Sequence, residues 1–599
     1  MPKMKLKDII SPFYVWQRSF EKPYTNNKPI DERPGAPSYR GFHVNDIEKC
    51  VGCGTCETIC MNNAIDMVPV ENLTAQVGDS GLRPRFDYGR CCWCALCVDI
   101  CTTSSLRMSN EYAWVTDNPD DFRFTPGVDE KPWDDHPLGY RRDPDYSLLK
   151  LERPAMTMLS AEEGLNSFDE VVHGFTPEQA IVEASRCVEC NICVATCPAH
   201  MNIPGYIKTI REQDFEQGLR LLYETNPFSS TCGRICTHRC EDDCVISHLG
   251  KPLAIRWLKR YITDQIPAEK YQQILQHKIT ENGKKVAIVG AGPGGLSAAY
   301  FLRLKGYQVS VYESAEKAGG MLRYGVPTYR LPDDALDKDI DYILSLGVSI
   351  HYQTTVGKEI DFQVLYDEND AVFFSTGLNV PSGLRIKGED HPRVLSGLQV
   401  LCDVASQRDP GVGKKVAVIG GGNVAMDAAR VCRRIGAEVT ILYRRRIEDM
   451  PADPEEIEEA QAEKCKFVTQ AIPVLIEKAK SLKQVVIQWG EAEMVADDNG
   501  GRPRPVLQED KMHTDSYDCI ISAIGQAGNY SFLPEDIKQQ LVSQRGKFTV
   551  SNHQQTSNTK VFIGGDIANK TADAISAIAD GQNAAIGIDE VLSLGMGTK

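Results

Sequence analysis

Two stretches of the chain share one pattern, in which a short apolar run is followed by a glycine-rich turn and a helix. Residues 284–302 read KKVAIVGAGPGGLSAAYFL, and residues 414–430 read KKVAVIGGGNVAMDAAR. A second apolar run follows each stretch, QVSVYE after the first and AEVTILYRRR after the second. This alternation of strand and helix predicts two α/β domains, each built on a parallel sheet.

The first turn has the spacing of a dinucleotide-binding site. Gly290, Gly292 and Gly295 form G-x-G-x-x-G after the strand, and the next strand ends in Glu313, 21 residues beyond Gly292. Such glycines let the backbone approach a pyrophosphate at a helix N-terminus, and the acid accepts hydrogen bonds from ribose hydroxyls. We therefore expect a Rossmann-like domain that binds FAD.

The second turn differs in the residues that end its following strand. Gly420, Gly422 and Ala425 repeat the spacing around Asn423, but this strand is followed by arginines, Arg444 and Arg445. Guanidinium groups bind a 2′-phosphate through charge-assisted hydrogen bonds, whereas a carboxylate repels it. The sequence predicts an NADP site here. NADH stays open as the nucleotide, and a solvated basic surface stays open as the role of the arginines.

Cysteine is the unusual part of the composition, because 17 of the 21 cysteines lie in two short windows. The first window contains two runs with the spacing C-x2-C-x2-C-x3-C, which is typical of two-cluster ferredoxins whose fourth cysteine ligates the other cluster. Zinc is the alternative, but it favours paired C-x2-C knuckles. The expected [4Fe–4S] ligands are Cys50, Cys53, Cys56 and Cys101 for one cluster, and Cys91, Cys94, Cys97 and Cys60 for the other. Cys92 lies outside this spacing and is predicted to be a packed thiol.

The second window repeats the ferredoxin spacing and then changes to a constant step of four. Its cysteines are Cys187, Cys190, Cys193 and Cys197, followed by Cys232, Cys236, Cys240 and Cys244. The surrounding motifs EASRCVEC, IPGYI, CGRIC and GKPLAI resemble the helical domain of the glutamate synthase small-subunit family. The same domain occurs in dihydropyrimidine dehydrogenase and in the large subunit of ferredoxin:NADP transhydrogenase.

The resemblance implies two more interleaved [4Fe–4S] clusters in the second window. One is implied to use Cys187, Cys190, Cys193 and Cys244, and the other Cys197, Cys236 and Cys240. The family supplies a Glu or Gln as the last ligand, but this chain has Lys259 there, and an ammonium has no lone pair. Cys232 is the expected substitute, while Glu241 or an open coordination site are the alternatives.

Two further motifs resemble the FAD-binding segments of the same family. GGMLRYGVPTYRLP at residues 319–332 resembles the family's GGLLRYGIPxxRLP, and VFIGGDIANKTADAISAIADGQNAA at residues 561–585 resembles its distal FAD motif. The resemblance implies that FAD is contacted by Gly320, Arg330, Gly565, Asp566 and Thr571. It also implies that the NADP domain is inserted within the FAD domain.

The predicted fold is therefore a multidomain α/β protein, with a helical [4Fe–4S] domain and an α+β ferredoxin domain added to the two Rossmann-like domains. The expected order is an N-terminal extension (1–40), the ferredoxin domain (41–110), a linker (111–165), the helical iron–sulfur domain (166–275), the N-terminal segment of the FAD domain (276–405), the NAD(P) domain (406–520) and the C-terminal segment of the FAD domain (521–599). The linker is proposed because its sequence shows no clear periodicity.

The net charge and the search for membrane and export signals limit the classes of protein that the sequence fits. With 66 basic and 82 acidic residues the net charge is −16, which argues against a nucleic-acid partner. The sequence shows neither an apolar run long enough to span a membrane nor an export signal, so we expect a cytoplasmic protein without a direct membrane span.

Together these features indicate an FAD and iron–sulfur oxidoreductase subunit. It is expected to move electrons between NADPH or NADH, FAD and four [4Fe–4S] clusters, to or from ferredoxin or another subunit of a redox complex. No catalytic side chain is predicted, because hydride passes directly between stacked rings. Two alternatives stay open, an electron-transfer adaptor with a vestigial nucleotide site and a glutamate synthase small subunit. Resemblance to the transhydrogenase also implies electron bifurcation as one activity to test.

Overall fold

The computed structural model describes most of the chain. The described residues are 10, 13, 16–22, 35–71, 73, 77–135, 137–478, 484–496, 501–541, 548–569 and 571–594. They divide into two compact units, with the division between Lys150 and Leu151. Most of the predicted N-terminal extension lies outside the described residues. Within the portion of the chain that the structure describes, no helix combines the length and apolar character needed to cross a bilayer.

The first unit is a small α+β fold with two antiparallel sheets. Its strands are β1 (His43–Asn45), β2 (Ile65–Pro69), β3 (Leu82–Asp87), β4 (Leu106–Met108) and β5 (Arg123–Phe124), and its helices are α1 (Thr55–Ile59) and α2 (Leu96–Asp99). Strand β1 pairs with β4, while β3 lies between β2 and β5. This arrangement confirms the predicted ferredoxin class of fold.

A portion of the predicted linker belongs to the core of this first unit. Strand β5 extends the sheet beside β3, and a 3-10 helix, Pro119–Phe122, comes directly before it. Trp133 is fully buried and stacks on Phe42 with ring centroids 4.2 Å apart. Aromatic rings bury a large apolar area without any sequence periodicity. The hydrophobic pattern of residues 111–150 therefore did not predict that this segment packs into the core.

The second unit begins with a helical region. A strand pair, β6 (Thr157–Met158) and β7 (Val172–Gly174), flanks its first helix, α3 (Ala161–Leu165). The other helices are α4 (Pro177–Ala184), α5 (Ile192–Thr196), α6 (Ile203–Glu212), α7 (Phe215–Tyr223), α8 (Ser229–Ile235), α9 (Arg239–Asp242), α10 (Ile255–Asp264) and α11 (Tyr271–Ile274), with 3-10 turns at Val245–His248 and Ala268–Lys270. Helix α10 packs against α8, and nearly every one of its residues is buried, including polar ones.

The first Rossmann-like domain is a five-stranded parallel sheet in the order β10-β9-β8-β11-β22. Its elements are β8 (Lys285–Val289), α12 (Pro293–Leu304), β9 (Gln308–Tyr312), α13 (Met321–Tyr324), α14 (Asp333–Ser345), β10 (Ser349–His351), α15 (Phe362–Glu368), β11 (Ala371–Phe374), α19 (Glu535–Leu541), β22 (Val561–Ile563) and α20 (Ala574–Leu594). The sequence crosses from β8 to β9 through α12, as the glycine-rich pattern predicted.

The second Rossmann-like domain is also a five-stranded parallel sheet, in the order β13-β20-β14-β15-β16. Its elements are β13 (Val394–Ser396), α16 (Gly397–Ala405), β14 (Lys415–Ile419), α17 (Asn423–Arg434), β15 (Glu438–Tyr443), a 3-10 turn (Ile447–Asp449), α18 (Pro454–Ala462), β16 (Lys466–Thr469) and β20 (Cys519–Ser522). An antiparallel sheet extends this domain with strands β17 (Ala471–Lys478), β18 (Val485–Val495) and β19 (Arg504–Tyr517).

The chain order confirms the predicted insertion of one domain in the other. All strands of the second parallel sheet come between β11 and β22, which both belong to the first sheet. Two short antiparallel strands form the double connection, β12 (Val380–Pro381) on the way out and β21 (Gln526–Ala527) on the way back. The second sheet starts at β13, which is before the predicted boundary at residue 406.

Candidate functional site

The three ferredoxin-spaced cysteine runs share an unusual backbone. In each run, the residue two after the first cysteine and the residue directly after the second cysteine have left-handed φ angles, between 53° and 71°. These residues are Gly52, Gly54, Trp93, Ala95, Glu189 and Asn191. Side chains in this region cost about 1–2 kcal/mol each, and such strain is concentrated at functional sites. The repeated geometry therefore supports the same bound group at all three runs.

The thiols of the first unit lie close enough together to shift one another's pKa. Burial raises the pKa of Cys53, and the thiols of Cys101 and Cys50 raise it further. In the other set, burial and then the thiols of Cys91, Cys94 and Cys60 raise the pKa of Cys97. Cys53 thus lies near the fourth cysteine of the other run, and so does Cys97, as the predicted interleaved clusters require, while Cys56 is a neighbour of Cys97 as well as of its own set.

The helical region brings its first set together in the same way. Burial and then the thiols of Cys190, Cys187 and Cys244 raise the pKa of Cys193. Cys244 follows Cys187 by more than fifty residues in sequence, so the fold itself creates this set. A thiolate needs compensation when it is buried with others, and a cluster supplies it.

The second set of the helical region surrounds a lysine. Lys259 lies on α10 and is 5% exposed. Burial lowers the pKa of its ammonium, but the neighbouring thiols Cys236, Cys232, Cys197 and Cys240 raise it above the usual value. Sequence reasoning placed Lys259 at the family's ligand position, and the structure places it among all four candidate cysteines.

Cys232 and Glu241 were the two residue candidates for the missing ligand. Cys232 is fully buried, and burial raises the pKa of its thiol to about 12 although Lys259 opposes the change. Glu241 already uses both carboxylate oxygens, since one accepts from the Arg256 backbone N–H at 2.9 Å and the other is paired with Arg153. The geometry therefore favours Cys232. The prediction that Cys92 is packed is wrong, because its side chain is exposed.

Polar groups also contact the thiols of the first unit, which the sequence did not reveal. The Thr55 hydroxyl lies 3.2 Å from Cys53 Sγ, and the Ser105 hydroxyl lies 3.4 Å from Cys101 Sγ. His43 Nε2 lies 3.3 Å from Cys97 Sγ, and burial lowers the pKa of this imidazole to about 3. Hydrogen bonds to cluster sulfurs are one of the factors that set the reduction potential.

The first glycine-rich turn has the geometry of a pyrophosphate site. Gly290 has φ of +102°, and a Cβ on Gly295 would come within 1.9 Å of the Gly290 carbonyl oxygen. Gly292 is the N-terminal cap of the 12-residue helix α12. The Glu313 carboxylate accepts from the Ala291 backbone N–H at 2.8 Å, so the acid is positioned beside the turn.

The distal flavin motif meets this turn inside the first Rossmann-like domain. Gly565 has φ of +76°, and its Cα lies 3.6 Å from where a Cβ on Gly294 would be. Gly320 approaches from the other side, because a Cβ there would lie 2.9 Å from Gly292 Cα. Asp566 Oδ1 is buried without a hydrogen-bond partner among the described residues. Burial, followed by two nearby aspartates, raises the pKa of this carboxyl to about 6.

Arg330 and Thr571, which are expected to contact the flavin, lie apart from the glycine-rich turn contacts described above. Arg330 pairs with Asp427 at 2.8 Å and with Glu456 at 2.7 Å, and both of these carboxylates belong to the second Rossmann-like domain. The Arg330 guanidinium thus joins the two Rossmann-like domains, and its contact with the flavin stays a prediction. Thr571 is exposed and precedes the long helix α20, whose first turn is capped by Asp573.

The second glycine-rich turn repeats the arrangement of the first. Gly420 has φ of +148°, and Gly422 caps the 12-residue helix α17. Ala425 is fully buried at the third position. The Asn423 side chain accepts from the Asp453 backbone N–H at 2.8 Å. In both domains a Cβ on the first glycine would strike the return segment, at the carbonyl oxygen of Ser375 or Ala523.

The three arginines after β15 differ in how far the described residues engage their guanidinium groups. Arg446 pairs with Asp449 at 2.9 Å, and Arg445 donates to the Pro503 carbonyl oxygen at 2.8 Å. Arg444 is exposed, and the described portion of the chain gives its guanidinium no hydrogen bond or ion pair. Arg444 is therefore the less engaged of the two predicted arginines, whereas Arg445 uses its Nε for the Pro503 carbonyl oxygen.

Comparison with protein families agrees with this division of the chain. Residues 49–105 match the model of a 4Fe–4S dicluster domain, and residues 164–271 match domain II of dihydropyrimidine dehydrogenase, which has a 4Fe–4S cluster. Residues 284–581 match the pyridine nucleotide-disulphide oxidoreductase model. The described donor sets fit these groups, since each predicted cluster has clustered thiols and the flavin motif leaves a buried acceptor free.

Several curated proteins resemble long stretches of the chain. The beta subunit of the NADP(+)-dependent formate dehydrogenase of Moorella thermoacetica is 38% identical over 67% of this chain and 60% of its own length. The beta subunit of the NADPH-Fe(3+) oxidoreductase of Geobacter sulfurreducens is 38% identical over 58% of this chain and 52% of its own length. The chain thus spans about half to three-fifths of the length of these relatives.

A third relative is matched over almost its whole length. The small chain of the NADPH glutamate synthase of Escherichia coli is 31% identical over 70% of this chain and 93% of its own length. The chain belongs to the glutamate synthase small-chain family of iron–sulfur flavoprotein oxidoreductases. The resemblance inferred from the sequence is confirmed.

Proposed function

We propose that this chain is the nucleotide-binding, electron-transferring subunit of a redox complex, and that it connects NADPH through FAD to four [4Fe–4S] clusters. The observation that carries the proposal is the coexistence of two glycine-rich dinucleotide turns with four clustered thiol sets. FAD, when bound, exchanges hydride with a nicotinamide and single electrons with clusters. No other side-chain chemistry is required from the chain.

The chain's own residues bind and orient the flavin. Gly290, Gly292 and Gly295 leave room for the pyrophosphate at the start of α12. Glu313 accepts hydrogen bonds from the adenosine ribose, and Asp566 uses its free buried oxygen to accept from the ribityl chain. Binding restores the hydrogen bond that this oxygen lacks, so burial of Asp566 is compensated only with the flavin present.

The second domain binds the nicotinamide nucleotide in the same manner. The N-terminus of α17 receives the pyrophosphate between Gly420 and Gly422. Arg444 binds the 2′-phosphate, which favours NADPH over NADH. Its exposure leaves both hydrogen-bonding edges of the guanidinium free for the phosphate oxygens.

The clusters are assigned to sixteen cysteines. The four proposed sets are Cys50, Cys53, Cys56 and Cys101; Cys60, Cys91, Cys94 and Cys97; Cys187, Cys190, Cys193 and Cys244; and Cys197, Cys232, Cys236 and Cys240. In the last set Lys259 stands beside the thiolates as a cation and offsets some of their charge. Net charge around a cluster is a main determinant of its potential.

The partner is proposed from chemistry and from the names of relatives. The chain has a ferredoxin-type unit in addition to the flavin-containing unit, and such a unit exchanges electrons with another protein. Two relatives carry names of complex subunits, one of a formate dehydrogenase and one of an Fe(3+) oxidoreductase. We propose a second redox subunit or a ferredoxin as the partner, and the cytoplasm as the location.

A second candidate function is the small chain of a glutamate synthase, which the 93% coverage of the Escherichia coli relative favours. That function requires a glutamine-dependent partner subunit to co-purify with the chain. Absence of such a partner, together with NADPH-dependent reduction of a one-electron acceptor by the chain alone, would exclude this candidate.

The proposed function is tested on the anaerobically purified full chain. We expect one FAD, about sixteen irons and matching sulfide per chain, because four [4Fe–4S] clusters need that number. We also expect NADPH to reduce an artificial one-electron dye, and removal of FAD to abolish this activity. A chain that contains FAD and clusters but does not reduce the dye with either nucleotide would contradict the proposal.

A further inference from the structure

A histidine outside every predicted motif touches one of the proposed cluster ligands. His43 lies on β1, and its Nε2 is 3.3 Å from Cys97 Sγ. Only 1% of the residue is exposed. Its ring stacks on Phe86 with centroids 4.1 Å apart, and its carbonyl oxygen accepts from Trp133 Nε1 at 3.2 Å. Packing and hydrogen bonding therefore fix the position of this imidazole.

Tyr88 contacts both the backbone N–H and the ring Nδ1 of His43. The Tyr88 hydroxyl oxygen accepts from the His43 backbone N–H at 2.7 Å, and it lies 3.2 Å from His43 Nδ1. The backbone N–H can only donate, so the single hydroxyl proton of Tyr88 is free to point at Nδ1. When the hydroxyl donates this hydrogen bond to Nδ1, the single N–H of the neutral ring is on Nε2. That hydrogen points to Cys97 Sγ.

We propose that His43 is a positioning residue that donates an N–H···S hydrogen bond to the cluster of Cys60, Cys91, Cys94 and Cys97 and raises its reduction potential. A donor stabilises the more negative, reduced state of a cluster more than its oxidised state. The proposal rests on the cluster assignment made under the proposed function. It goes beyond that function because it makes this one cluster of the ferredoxin unit easier to reduce.

The two clusters of this unit are thereby made unequal. The other set has hydroxyl neighbours, Thr55 near Cys53 and Ser105 near Cys101, at 3.2 and 3.4 Å. A hydroxyl can rotate and donate elsewhere, whereas the His43 ring is fixed by Tyr88. A fixed donor at a buried sulfur has the larger effect, because the low local dielectric strengthens it.

The first test uses the full chain labelled with ¹⁵N-histidine and reduced anaerobically. We expect a ¹⁵N hyperfine coupling to a reduced cluster in pulsed EPR, and we expect His43→Gln to lack it. The wild type must be compared with His43→Gln, because His238 is also labelled and is close in sequence to the predicted ligands Cys236 and Cys240. A coupling from His238 would be present in both proteins. Identical ¹⁵N couplings in both proteins would overturn the proposal.

The second test is a potentiometric titration of the same clusters. His43→Leu is expected to lower the reduced-to-oxidised ratio of one cluster about tenfold at fixed potential, which is about 59 mV for a one-electron couple. His43→Gln keeps an N–H donor and is expected to recover much of this change. Ser105→Ala is the matched control, and it should leave this cluster unchanged.

The hydrogen bond of His43 and the assignment of the clusters can fail separately, and different results would show each failure. Unchanged potentials in His43→Leu, with full iron content, would overturn the hydrogen bond while leaving the clusters in place. Wild-type protein with only enough iron and sulfide for the clusters of the helical region would overturn the cluster assignment and the inference together. If His43→Leu fails to fold, the ¹⁵N measurement on wild type and His43→Gln still decides the question.

Discussion

Replacing Arg444 by alanine is expected to weaken the binding of NADPH but not of NADH. Arg444 is the exposed arginine after β15, and the described residues leave its guanidinium without a partner. A hydrogen bond to a charged group contributes about 1.5–3 kcal/mol. Solvent exposure and salt reduce this value, so we expect about 1.4 kcal/mol, which is about a tenfold change in affinity.

The assay is the steady-state reduction of a one-electron dye with NADPH and with NADH. Arg444→Ala should raise KM for NADPH about tenfold, leave kcat nearly unchanged and leave KM for NADH unchanged. This pattern is expected because a 2′-phosphate contact contributes equally to ground-state and transition-state binding.

Arg446 offers the matched control for this experiment. Its guanidinium is already engaged by Asp449 at 2.9 Å and by Glu448 at 3.3 Å. Arg446→Ala should therefore change KM for NADPH much less than Arg444→Ala does. The reasoning is refuted if Arg444→Ala affects both nucleotides by the same factor, or if the control variant has the larger effect.

Three further predictions concern the clusters, the domain contact and pH. Cys232→Ala, which offers no donor atom, should cause loss of one iron from the last cluster of the helical region, seen as a new EPR signal in the oxidised protein, whereas unchanged spectra would exclude Cys232 as ligand. Arg330→Met should lower the free energy of unfolding by about 3–5 kcal/mol, because Asp427 and Glu456 lose their cation. A loss below about 1 kcal/mol in urea unfolding would contradict this prediction. Burial raises the pKa of Asp339 from 3.8 to about 6, so the folded state binds the proton of this carboxyl more tightly than the unfolded state does. The contribution of Asp339 to the free energy of unfolding therefore falls as the pH rises from about 4 to 6. Asp339→Asn should make the free energy of unfolding, measured in urea titrations, depend less on pH over this range.

The features that sequence reasoning found are those in which local backbone determines the function. Gly290 and Gly420 are required by positive φ angles and close approach to a return strand, so their spacing alone marks the turn. The cysteine runs likewise share a local backbone geometry, and the interleaved ligand sets stay a prediction from the known spacing. The insertion of one Rossmann-like domain in the other was visible from motif order, and the sheet topology confirms it.

The features that sequence reasoning missed depend on contacts between distant residues. Arg330 lies in a flavin-type motif, and the sequence did not show that it also pairs with Asp427 and Glu456, which follow it by 97 and 126 residues. Trp133 lies in an aperiodic stretch, but it completes the aromatic core of the ferredoxin unit. His43 precedes the first cysteine run by seven residues and reaches a ligand of the second run. No spacing rule predicts such pairs, because tertiary packing creates them.

The central claim is that electrons pass from NADPH through FAD to the clusters within this chain. The most direct measurement is anaerobic titration of the purified full chain with NADPH, with flavin absorbance and cluster EPR followed on the same samples. We predict bleaching of the flavin together with the appearance of reduced [4Fe–4S] signals. Bound FAD that neither NADPH nor NADH reduces would contradict the claim and support an adaptor role for the chain.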